Sequence, residues 1–158
     1  TAVILYFHGN AEDLGHSAIV CKMLQRFFNA HVVAVEYPGY GVYEGKPNET
    51  QIMEDAEKVV EHLRRELQWP LHDMFLLGRS LGTGPATFLA SKHSVGGLAL
   101  ISPYISIRAV VTHVGKSTMI GLGGMASYLF KDQFLNLKHI RTVRATTPVV
   151  LFRGMPGL

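Results

Sequence analysis

Residues 76–84 read "LLGRSLGTG", Leu76 to Gly84. Ser80 stands between Gly78 and Gly82 in the pattern G-x-S-x-G. An apolar run, Met74 to Leu77, leads into it, and Leu81 to Ala90 follows with helical spacing. Strand, sharp turn, then helix is the setting that a nucleophile elbow requires. Gly78 and Gly82 lack a Cβ, so the helix can pack close against the strand. The pattern therefore predicts a Ser80 that is strained and exposed. The Leu81 amide would open the helix and face a developing oxyanion, because helix N-termini favour negative charge. A structural glycine turn is the plainer reading of the same nine residues, so the rest of the chain has to arbitrate.

Working outward, Val3 to Phe7 is a buried-strand pattern that ends at His8-Gly9-Asn10. Asp13 to Phe28 carries a helical stripe of Ile19, Val20, Met23, Leu24, Phe27 and Phe28. His31 to Val35 is β-branched and ends in "EYPGYG". Asn48 with Gln51 three residues on reads as a capping box. The helix that follows has Ile52, Ala56, Val59, Val60, Leu63 and Leu67 on its inner face. Gly97 to Ile101 and Pro148 to Phe152 complete five strands, and residues 105–146 read as shorter helices and loops. Strands alternating with helices predict an α/β fold, a mostly parallel sheet flanked by helices on both faces. In such a sheet the loops at the carboxyl ends of the strands carry the function. His8-Gly9-Asn10, "YPGYG" and Ser80 should converge there. An earlier strand end is the expected source of a second oxyanion donor, here the Asn10 amide. His8 is read as the anchor of its loop, together with Gly9, with a role as base the alternative.

The composition fits one globular domain over residues 1–158, with 47% apolar and 17% charged residues. A single cysteine, Cys21, excludes an internal disulfide and is expected to pack as a small apolar side chain. The chain opens directly on a strand pattern without a signal peptide, so a cytoplasmic location is expected. Charge divides unevenly. Residues 1–79 hold seven Lys/Arg against eleven Asp/Glu, and residues 80–158 hold eight against one, Asp132. The basic half is either a solvated face or a surface that meets anionic lipid headgroups, which would place the protein peripherally on membranes. No basic stretch has interleaved aromatics, so nucleic acid is not an expected partner. Ser117 to Phe130 is charge-free but too short and glycine-rich to span a bilayer. Met119, Leu122 and Met125 within it either pack in the core or line a pocket for an acyl chain. No metal or cofactor motif is present.

"YFHGNAEDLGHS", "VVAVEYPGYGVYEGKP", "LLGRSLGTGPATFLAS", "LALISPYIS" and "TTPVVLFRG" together resemble the α/β-hydrolase superfamily, in the right order and over nearly the whole chain. Within it the resemblance is to α/β-hydrolase domain-containing subfamilies seventeen and thirteen; the first contains protein depalmitoylases. The resemblance implies a serine hydrolase acting on esters or thioesters, with Ser80 as nucleophile and the Leu81 and Asn10 amides as oxyanion hole. Its substrate would be an acyl-bearing small molecule or an S-acylated protein. Glu36 stands where the family usually has Asp. The family places its acid just past the strand "VVLFRG" and its histidine after one further strand, yet no Asp or Glu follows Asp132 and no His follows His139. The triad Asp and His are thus not in this chain at the family's positions, and two early strands of the family are not matched. The domain is therefore expected to be incomplete at both ends. The alternative reading is a non-catalytic binding module on the same fold. The family's sheet order also puts "VVAVE" and "VVLFR" at the margins, where charge-free apolar edges favour association.

Overall fold

The computed structural model describes residues 1–10, 12–104 and 135–153. Its described elements run β1 (Val3–Phe7), α1 (Leu14–Phe28), β2 (His31–Val35), α2 (Glu49–Arg65), β3 (Met74–Arg79), α3 (Thr83–Lys92), β4 (Gly97–Ile101), α4 (Asn136–Ile140) and β5 (Val149–Phe152). Short 3₁₀ turns at Leu71–Asp73 and Ser80–Gly82 precede β3 and α3. The strands form one sheet in the order β2-β1-β3-β4-β5, every neighbouring pair parallel. The two segments expected at the margins, β2 and β5, are its edges.

Short apolar runs make these strands, as suits a parallel sheet whose central strand is covered on both faces. All five residues of β1 are buried, as befits a central strand. One face of the sheet meets α2 and α3. The core there joins Leu5, Phe7 and Leu76 to Ile52, Ala56, Val60 and Leu63 of α2 and to Ala86 and Leu89 of α3, with Ile140 of α4 against it. The other face meets α1, where Val20, Cys21 and Leu24 pack on Ile4, Tyr6 and Leu77. Cys21 is half-buried in that layer.

Local signals set the helix starts. The Asp13 carboxylate accepts from the His16 amide at 2.9 Å, and Asn48 Oδ1 accepts from the Gln51 amide at 3.1 Å. The Gln51 side chain donates to Asp55 at 2.8 Å instead of returning to Asn48, so the capping box is half made.

Three expectations change. The stripe on α1 is only partly inward: Ile19, Met23, Phe27 and Phe28 are exposed, because one sheet face can cover about a third of a helix. Leu67 is exposed as well, since α2 ends at Arg65, and Met53 takes a place in the buried face. The third helix begins two residues later than its pattern, behind the 3₁₀ turn. All four residues of β5 are exposed.

Leu5 has no solvent exposure and Phe27 is 80% exposed. Leu5→Ala should therefore lower the unfolding free energy by about 2–5 kcal/mol, while Phe27→Ala should change it by less than about 0.5 kcal/mol. Urea denaturation followed by circular dichroism measures both.

Candidate active site

Because the strands are parallel, their carboxyl ends share one edge of the sheet. Phe7 pairs with Gly78 on one side and with Val35 on the other. The residues after each, His8 to Asn10, Arg79 to Leu81 and Glu36 to Tyr40, emerge side by side.

Ser80 lies at the junction of β3 and the 3₁₀ turn with φ +49°, in the left-handed region, and it is exposed. A non-glycine residue held there is strained and persists only where its surroundings impose it. The imposition is visible at the flanking glycines. A Cβ on Gly82 would lie 2.1 Å from the Phe7 carbonyl oxygen, and one on Gly78 would lie 2.4 Å from the Gly82 oxygen. The start of α3 is thus pressed onto β1 and β3, and Ser80 is forced out at the crest. Neither the 3₁₀ turn nor α3 has a side-chain cap, so no side chain competes for the amides opening there.

The loop after β1 is fastened by His8. Its ring is fully buried, with Nδ1 donating to the Gly9 carbonyl at 2.9 Å and Nε2 held by Glu36 Oε1 at 2.8 Å. Both ring nitrogens are thus engaged, one by the Gly9 carbonyl and one by the Glu36 carboxylate. The Tyr37 hydroxyl donates to the His8 carbonyl at 2.9 Å, and its ring stacks on the imidazole at 4.2 Å. Burial pushes the Tyr37 phenol well above its ordinary range, which keeps it a donor. Gly9 faces Ser80: a Cβ on Gly9 would sit 3.6 Å from the serine Cβ. Asn10 Oδ1 accepts from the Tyr40 hydroxyl at 2.6 Å.

Glu36 has a larger part than its sequence position suggested. Its carboxylate also accepts from the amides of Tyr37 (3.1 Å) and Leu14 (3.0 Å), tying the end of β2 to the β1 loop and to the start of α1. Glu12 has a part of the same kind. It accepts from the Gly9 amide at 3.3 Å and pairs with Arg79, the residue before Ser80. The pattern "HGN" pointed to the loop, but ion pairs across 28 and 67 residues leave no local trace.

Ser80, Leu81, Gly78, Gly82, His8, Gly9 and Asn10 are thus gathered at one edge. Met119, Leu122 and Met125, like Asp132, lie outside the described residues. Two further histidines lie elsewhere: His93 Nε2 meets Glu57 Oε1 at 2.6 Å, and His139 lies edge-on to Phe88, where burial lowers its pKa below the ordinary histidine range. Both contacts belong to the α2–α3–α4 side, where a groove of about 490 Å³ is lined by Met53, Glu57, Phe88 and His139 among others. Among the described residues no cluster of His, Cys, Asp or Glu could hold a metal, and no helix is long and apolar enough to cross a membrane.

A family model described as serine aminopeptidase, S33, matches residues 1–148. The chain belongs to the α/β-hydrolase family. It is 37% identical over 147 residues to the alpha/beta hydrolase domain-containing protein aho-3 of Caenorhabditis elegans, covering 93% of this chain and 41% of that protein. To alpha/beta hydrolase domain-containing protein 17C of Xenopus tropicalis it is 32% identical over 151 residues, covering 96% of this chain and 45% of that protein. This α/β-hydrolase chain thus spans less than half the length of these relatives. Among solved structures, an alpha-beta hydrolase from Vibrio vulnificus superposes with a TM-score of 0.83 at 24% identity, over 94% of this chain and 55% of that one. A monoacylglycerol lipase from Paleococcus ferrophilus gives 0.61 at 20% identity, over 96% and 72%. At those identities the superpositions speak for the fold.

The glycine contacts separate two substitutions. Gly82→Ala should prevent folding, because its methyl would meet backbone that cannot retreat. In Gly9→Ala the nearest atoms stand at 3.5 Å, ordinary contact, so its melting temperature should stay within about 3 °C of the parent. Thermal denaturation of the two purified variants is the measurement.

Proposed function

We propose that this α/β-hydrolase uses Ser80 as the nucleophile of a serine hydrolase acting on esters and thioesters. The observation that carries the proposal is the exposed, left-handed Ser80 at the crest of a strand–turn–helix junction whose flanking Gly78 and Gly82 leave no room for a Cβ. In this reading Ser80 Oγ attacks the acyl carbonyl, and the carbonyl oxygen gains negative charge as the tetrahedral intermediate forms. The amides of Leu81 and Asn10 receive that charge. One such donor is typically worth about 10²–10³ in rate. His8 and Glu36 keep the donor loop in place. A base must take the serine proton, and an imidazole is the usual one.

S-acylated proteins are the substrate class we assign, on the resemblance to subfamily seventeen; the Met-containing stretch 117–130 would meet the acyl chain. The basic second half would favour peripheral contact with an anionic membrane from the cytoplasmic side.

A second reading, a binding module without turnover, is favoured by one observation. Three of the described histidines, His8, His93 and His139, are placed in other contacts.

A fluorophosphonate probe separates the two readings. The expected result on the 158-residue chain is slow labelling confined to Ser80 and abolished by Ser80→Ala. A chain that stays unlabelled after prolonged exposure, while binding long-chain acyl esters, would favour the binding module.

A further inference from the structure

Behind the elbow, on the core side, lies a chain of buried and half-buried hydrogen bonds that starts 53 residues away in sequence. Asn136, the first residue of α4, is 5% exposed. Its Nδ2 donates to Thr83 Oγ1 at 2.8 Å and to the Tyr104 carbonyl at 3.0 Å. Thr83, fully buried, passes its own hydroxyl proton on to the Ser80 carbonyl at 2.7 Å. The Tyr104 hydroxyl donates to the Leu81 carbonyl at 3.2 Å. Both elbow carbonyls are therefore held from one hub.

The direction of each bond is dictated by chemistry. The Tyr104 carbonyl can only accept, so Asn136 must present its NH₂ group. The Thr83 hydroxyl has one proton, which goes to Ser80, so its oxygen is free to accept from Asn136. Fixing the Ser80 and Leu81 carbonyls fixes the peptide planes that follow them, hence where the Leu81 and Gly82 amides aim. A strained φ needs such over-determination.

We infer that Asn136 is a positioning residue for the nucleophile elbow, acting through Thr83 and Tyr104 to set the Ser80 and Leu81 peptide planes. The inference rests on the reading of Ser80 as nucleophile. It also means that α4 controls reactivity at the open edge of the site.

The test compares four variants of the full chain. Asn136→Asp keeps the volume but sets a carboxylate oxygen against the Tyr104 carbonyl. Thr83→Val removes the relay hydroxyl, and Thr83→Ser restores it. Thr87→Val is the control: it is equally buried, one turn along α3, and its hydroxyl donates at 2.6 Å to the Thr83 carbonyl. Amide hydrogen exchange over residues 78–84 and the rate of fluorophosphonate labelling at Ser80 are both measured. Asn136→Asp and Thr83→Val should exchange faster and label about three- to tenfold more slowly, the fold-change equivalent of one lost hydrogen bond. Thr83→Ser and Thr87→Val should match the parent in both. Unchanged exchange over 78–84 in Thr83→Val overturns the inference, as does a Thr87→Val that behaves like Thr83→Val. Should Asn136→Asp fail to fold, the three threonine variants decide by the same criteria. A parent that never labels, with the exchange contrast present, would sink the nucleophile reading and leave the positioning network standing.

Discussion

Everything at the open edge of the sheet depends on how closely α3 begins against β1. At Gly82 the backbone of one element lies where a Cβ would touch the Phe7 carbonyl. That contact sets the height of the helix start above the sheet. The height sets how sharply the chain must turn on leaving β3, and the sharpness puts Ser80 into the left-handed region. The energy for holding it there comes from the layer below, where Leu5, Phe7, Leu76, Ala86 and Leu89 share one core. A conformation costing about 1–3 kcal/mol is small against such burial.

The second support is polar and equally buried. His8, Tyr37 and Glu36 form a closed group in which each ring nitrogen, the phenol and the carboxylate have partners. A buried imidazole without them would be expensive; with them it locks the loop to β2. The Glu12–Arg79 pair works from the solvent side, where Arg79 is half exposed. Ion pairs there contribute about 0–1 kcal/mol and weaken with salt. The loop bearing Asn10 therefore has one rigid flank toward β2 and one softer flank toward the serine.

Much of this was legible in the sequence. The five strands were visible because each is a short, continuous apolar run, which burial dictates for β1 and which the exposed edge strand β5 shares. The elbow was visible because its glycines answer a steric demand that no other residue meets. The outer residues of α1 were misread for an equally physical reason. Periodicity shows which side chains share a face of a helix, but the neighbouring surface decides how much of that face is covered, and Ile19, Met23 and Phe27 extend past it. Glu12, Glu36 and Asn136 were missed as supports of the site because their importance lies in partners 28 to 67 residues away, which no local pattern encodes.

The strand order has an electrical consequence. β2, β1 and β3 come from the acidic first half of the chain and β4 and β5 from the basic second half, and they lie in that order across the sheet. The described residues after Ser80 include five Lys/Arg and no acid: Lys92, Lys138, Arg141, Arg144 and Arg153. The seam between the two halves falls between β3 and β4, and ion pairs cross it: Glu57 of α2 meets Lys92 and His93 at the end of α3. These side chains are partly exposed, so salt weakens the attraction between the halves.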